Sequence, residues 1–134
     1  MITEKMLKLT GYIIGQQGQP FEWGRRDCNT FVATINDILT GNKTLPAIQD
    51  KYHDLKSAIR FQKDYLTANQ YLFRNGWREV ESLIQDGDVL TVDDKHFTRA
   101  HVVFGGMVWS VHEQAGVVNA PLHAMPEYKH WRLL

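Results

Sequence analysis

The chemistry of this chain starts from Cys28, its only cysteine. Cys28 opens the segment 28–40, where Phe31, Val32, Ile35, Ile38 and Leu39 recur at the spacing of an amphipathic helix. Asp27 stands where an N-cap belongs and Gly41 where a C′ glycine belongs. A cysteine in the first helical turn lies beside unpaired backbone N–H groups and the positive end of the helix dipole, which favour the thiolate. The same N–H groups suit an oxyanion formed when that thiolate attacks a carbonyl. A lone cysteine is more often a small buried hydrophobe than a nucleophile. Its reading as a nucleophile therefore depends on what else is present.

Two histidines supply candidates. His101 begins the apolar run His101-Val102-Val103-Phe104, which meets a Gly105-Gly106 turn, and His112 closes the run Val108-Trp109-Ser110-Val111-His112. In a hairpin the start of one strand lies beside the end of the next, so His101 and His112 are expected as cross-strand neighbours. A base and the residue that orients it would be so placed. Two strand-edge histidines bonded to backbone or water fit the same spacing, and spacing alone leaves both readings open. His53, His96, His123 and His130 fall in charged or terminal segments, where a solvated role is expected. A zinc site from His96, His101, His112 and His123 lacks any close His-x-His or His-x₃-His pair. His112-Glu113-Gln114-Ala115-Gly116 begins like the zincin helix but has Gly116 at the second histidine position. No metal and no cofactor are expected.

The elements that must position these groups follow from pattern. Residues 3–15 read as a helix that Gly15 would end, and 46–71 as one or two charged surface helices. After Gly76 the period changes. Short strands are expected at 77–80, 88–92, 100–104, 108–112, 116–119 and 130–133, separated by turns at Asp86-Gly87, Asp93-Asp94 and Gly105-Gly106. Helices first and an antiparallel sheet afterwards make an α+β arrangement in a single domain, 1–134.

Composition narrows the function. A 43% hydrophobic and 22% charged content excludes a disordered chain. The formal net charge of zero argues against a nucleic-acid binder, whose affinity comes from surplus Lys and Arg. No run approaches the ~18 apolar residues of a membrane span, and Met1–Thr10 has no signal-peptide core. Synthesis and retention in the cytoplasm are expected, with any action outside the cell requiring delivery by something else.

Three stretches taken together resemble the NlpC-type papain-like cysteine peptidases. Residues 20–31, Pro-Phe-Glu-Trp-Gly-Arg-Arg-Asp-Cys-Asn-Thr-Phe, are similar to the family's aromatic-x-Trp-Gly-Gly segment followed by Asp-Cys-Ser-Gly-Phe. Residues 85–90, Gln-Asp-Gly-Asp-Val-Leu, are similar to Pro-Gly-Asp-Leu-Val, and 101–112 to the His-Val-Gly-Ile-Tyr-Leu-Gly strand with its following Ile-His-Ala. The likeness runs over about residues 12–119, in the right order and spacing, and is nearest to short phage and prophage members. It implies a papain-like fold with N-terminal helices packed on a small antiparallel sheet. It also implies amide hydrolysis in a peptidoglycan stem peptide, with Cys28 as nucleophile, His101 as base and then acid, and His112 orienting His101. Phage tail proteins are the assembly partners so implied, and the virion is the location.

The departures bear on substrate and rate. Phe21 stands where the family has Tyr, and loss of one oxyanion donor costs on the order of 10²–10³ in rate. Arg25 replaces the second Gly, and Asn29-Thr30 replaces Ser-Gly. Around the cleft, Trp23 and Trp109 are expected either as walls for a peptide or as core aromatics. Arg25 suits a substrate carboxylate or solvent, and Asn29 a polar contact near the nucleophile. A tail-tip structural protein keeping the fold with little activity, or an enzyme passing the acyl group to an acceptor other than water, fits the same residues.

Overall fold

The computed structural model describes residues 3–134; the first two residues of the Met1–Thr10 segment lie outside them. Four α-helices precede an antiparallel sheet of six strands among the described residues. Helix α1 spans Glu4–Gln16, capped by Thr3, whose hydroxyl accepts from the Met6 N–H at 3.1 Å. Gly15 does not end it. The break falls at Gly18, where φ is +76°, a value glycine adopts without steric cost. Leu9 and Ile13 face inward, and Tyr12 lies 5.6 Å from the Phe31 ring of the second helix.

Helix α2 spans Cys28–Thr40, as its periodicity predicts, with Asp27 and Thr30 forming a capping box and Gly41 a left-handed C-cap at φ +76°. The charged middle of the chain forms a 3₁₀ turn at Leu45–Ala47, then α3 (Leu55–Asp64) and α4 (Ala68–Arg74). These are not purely surface helices. Tyr71 and Leu72 of α4 are buried in the core beside Trp77, because the charged residues occupy only the outer faces.

The strands are β1 (Trp77–Glu79), β2 (Val89–Asp93), β3 (Thr98–Phe104), β4 (Met107–His112), β5 (Gly116–Ala120) and β6 (Lys129–Leu133). Their order in the sheet is β1-β6-β2-β3-β4-β5, so the last strand lies between the first two. Alternation gives the sheet two unlike faces. Val89, Ala100, Val102, Trp109, Val111, Val117 and Trp131 join Phe31, Val32 and Ile35 of α2 in the main core. Leu90, Val103 and Val108 form a smaller cluster on the other face, under Ile84, Met125 and Tyr128.

The start of β5 is pinned to the loop before α2. Val117 donates its N–H to the Gln19 carbonyl at 2.9 Å, and Gly18 donates to the Val117 carbonyl at 3.1 Å. A Cβ on Gly116 would overlap the Gln19 carbonyl oxygen, and Gly116 has φ +75°. Gly116→Ala is expected to destabilise the fold by ~2–4 kcal/mol, through overpacking and left-handed strain together. A urea midpoint equal to wild type would show that the loop yields freely.

Candidate active site

The site is built around a fork in the sheet. β3 pairs with β2 from Thr98 to Val102, and β4 pairs with β5 from Val108 to His112. Between β3 and β4, however, pairing covers only Val102↔Trp109, Val103↔Val108 and Phe104↔Met107. Below that point the two strands part. A cleft of about 220 Å³ occupies the fork, lined by Cys28, Arg99, His101, Ser110, His112 and Asn119 together with apolar residues including Met125.

Cys28 arrives there on the first turn of α2 and is 7% exposed. Its position is set by Asp27, itself buried, whose carboxylate accepts from the N–H groups of Gly24 (2.8 Å), Asn29 (3.0 Å) and Thr30 (3.0 Å) and from the Tyr52 hydroxyl (3.0 Å). Burial holds the Asp27 carboxyl above its ordinary value, and these four donors oppose that shift. The thiol does not have the depressed pKa expected from the helix terminus. Burial first, then the adjacent Asp27 carboxylate, pushes it up to about 12. The N–H groups of Ala100 and of Cys28 itself, and the Arg99 charge, pull the other way but are outweighed.

His101 is half-buried on β3, with its Nδ1 shut off from solvent and without a hydrogen-bond partner. Burial, and then the charge of Arg99, lowers its pKa to about 4. In this resting geometry thiol and imidazole are therefore both neutral at pH 7. No hydrogen bond joins Cys28 to His101, or His101 to His112, among the described residues. His112 is exposed, and its Nδ1 accepts from the N–H groups of Gln114 (3.1 Å) and Ala115 (3.3 Å) in the turn to β5. The expected cross-strand pairing of the two histidines is corrected by the register. Phe104↔Met107 closes the hairpin on a two-residue turn, and the register, which ends at Val102↔Trp109, would if continued set Ser110 and not His112 opposite His101. Among the described residues no group of three or more His, Cys, Asp or Glu is placed to hold a metal ion.

Residues 4–132 match the model of the domain of unknown function DUF6950. The chain belongs to this family. No curated protein and no solved structure matches it.

In this DUF6950 domain none of the four residues expected to bind substrate lines the cleft. Trp23 packs edge-on against Phe21 (4.8 Å), Tyr52 (6.3 Å) and Phe97 (6.3 Å), so it is a core aromatic. Trp109 is buried, and its indole N–H donates to the Phe104 carbonyl at 3.0 Å. Arg25 is an exposed side chain paired with Asp50 at 2.9 Å. Asn29 is buried outside the cleft, where its Nδ2 donates to the Thr98 carbonyl at 3.2 Å and its backbone carbonyl accepts from the Tyr71 hydroxyl at 3.3 Å. Each lies near Cys28 in sequence or in the hairpin, yet packs or pairs with the scaffold outside the cleft, and Asn29 Oδ1 is buried without a partner.

The cleft residues that motif reading passed over are Arg99, Ser110 and Asn119. Period-two alternation from His101 reaches Arg99, and strand register reaches Ser110, so both were within reach of the sequence once the turn length is known. His130 also departs from expectation. It is buried, with Nε2 2.6 Å from Asp88 Oδ2, while Arg132 clasps the same carboxylate through Nε (2.9 Å) and Nη2 (2.8 Å). Burial of Asp88 would raise its pKa, but Arg132, His130 and the Gln85 N–H together hold it below the ordinary carboxylate range. This cluster ties β2 to β6 and does not reach the cleft. No helix among the described residues is long and apolar enough to cross a membrane.

Proposed function

We propose that this DUF6950 domain is a papain-like cysteine hydrolase of the NlpC type, cleaving an amide in a peptidoglycan stem peptide and carried in a phage tail. What supports the reading most is one juxtaposition: Cys28, on a helix N-terminus fixed by a buried Asp27, shares the fork cleft with His101. In the reaction so assigned, His101 takes the Cys28 proton and the sulfur attacks the amide carbon. N–H groups at the start of α2 hold the oxyanion. Collapse breaks the C–N bond, and the amine leaves with the proton from His101. Water, deprotonated by His101, then attacks the thioester, releasing the acid and the free thiol. The cleft carries Arg99 and two histidines and no carboxylate, which suits a substrate with acidic groups.

The neutral state of both Cys28 and His101 favours a second reading, a tail-tip component that keeps the fold with a quiescent site. Purified stem peptide incubated with wild type, Cys28→Ala and His101→Ala separates them by mass spectrometry. Hydrolysis is expected from wild type alone, with a loss of at least 10³-fold in either variant. Equal product from all three, or none from any, would leave the quiescent component standing. A product carrying an added amine in place of water would mark a transferase.

A further inference from the structure

Resting on the nucleophile–base reading of Cys28 and His101, we infer that Ser110, not His112, is the positioning residue for the His101 imidazole. Four observations converge on it. Pairing of β3 with β4 stops at Val102↔Trp109, and continuing that register by one step would set Ser110 directly opposite His101. Directly opposed residues share a face and stand about 4.5–5.5 Å apart at Cβ when the strands are paired. His101 Nδ1 is buried without a partner, and its ring lines the same cleft as Ser110. The Nδ1 of His112 is already spent. Its Nδ1 accepts two backbone N–H groups of the following turn, which leaves only the Nε2–H donor on that ring when neutral.

An orienting residue must accept the proton of one imidazole nitrogen so that the other is free as the base. His112, held as an acceptor at Nδ1, has nothing to accept with. The Ser110 hydroxyl both accepts and donates. Closing the fork by one residue pair brings Ser110 Oγ to His101 Nδ1, fixes the Nδ1–H tautomer, and leaves Nε2 for the Cys28 proton. The pair is open in the geometry described and is expected to join in the free protein in solution, because a buried ring nitrogen without a partner is costly to maintain.

The test reads the tautomer and not turnover, so it stands apart from the catalytic assignment. In protein labelled with ¹⁵N-histidine, the two His101 ring nitrogens are followed by long-range ¹H–¹⁵N spectra at pH 7. Wild type and His112→Ala are expected to show one Nδ1–H tautomer. Ser110→Ala is expected to lose it, giving averaged nitrogen shifts, and Ser110→Thr to restore it. A tautomer unchanged in Ser110→Ala, or one lost in His112→Ala with Ser110→Ala intact, overturns the inference. Should the peptide assay fail while the tautomer responds to Ser110, hydrolysis is wrong and the positioning stands.

Discussion

Cys28 in the folded protein is expected to react with iodoacetamide at pH 7 about a hundredfold more slowly than an unstructured cysteine. A thiol pushed up to about 12, against an ordinary value of roughly 8.5, has its thiolate fraction at pH 7 cut by about 3.5 decades. A more basic thiolate is intrinsically more nucleophilic, and that returns about 1.5 decades. Limited exposure slows the reaction further. The rate should then climb about tenfold per pH unit to pH 10 without levelling, where an ordinary thiol levels near its pKa. A plateau below pH 7, abolished in His101→Ala, would instead establish a thiolate–imidazolium pair in the free protein. The sign for stability follows from the same shift. The folded thiol is displaced upward, so its contribution is whole below the unfolded value of about 8.5 and is lost as pH rises toward about 12.

Asp27→Ala is expected to have the largest effect on stability, ~3–5 kcal/mol, which corresponds to a fall of roughly 10–20 °C in Tm for a domain of this size. The substitution strands four donors at once: three backbone N–H groups and the Tyr52 hydroxyl. Loss of an N-cap alone typically costs ~1 kcal/mol; burial of the others makes up the difference. Thermal and urea unfolding of Asp27→Ala beside Tyr52→Phe would check it, the latter losing only one bond. A loss under ~1 kcal/mol in Asp27→Ala would mean that water replaces the carboxylate and that the cap does not fix Cys28. Since the Asp27 charge also raises the thiol pKa, the variant should alkylate faster while still folded.

Helix α2 could be read from its sequence because every local signal agreed: cap residue, apolar stripe and C-terminal glycine all marked the same ends. The strands likewise declared themselves by alternation and turn residues. What failed was pairing at the level of single residues. His101 and His112 terminate their runs, but a two-residue turn fixes the register by where the turn sits and not by where the apolar runs stop. Trp23 and Asn29 show another limit. Proximity to a nucleophile in sequence says nothing about which way a side chain turns: Trp23 packs on Phe21, and Asn29 bonds to the Thr98 carbonyl. His130 was hidden for the opposite reason, since its partner Asp88, which Arg132 also binds, comes from the turn before β2. The shift of the Cys28 thiol depends on burial, which is a property of the whole fold.

The placement of β6 between β1 and β2 also governs how the chain can be made. Glu79 leaves the ribosome some fifty residues before Lys129, on the order of seconds at common elongation rates. Throughout that interval β1 has no neighbour, and the Val89–Thr91 side of β2 is a bare edge able to capture another chain. The β2–β3–β4–β5 meander, which carries His101, needs nothing downstream of Ala120 for its own pairing. The nascent protein therefore holds the histidine half of its cleft while β1 and one edge of β2 are still unpaired, and that is when a crowded translation apparatus would expose it to aggregation.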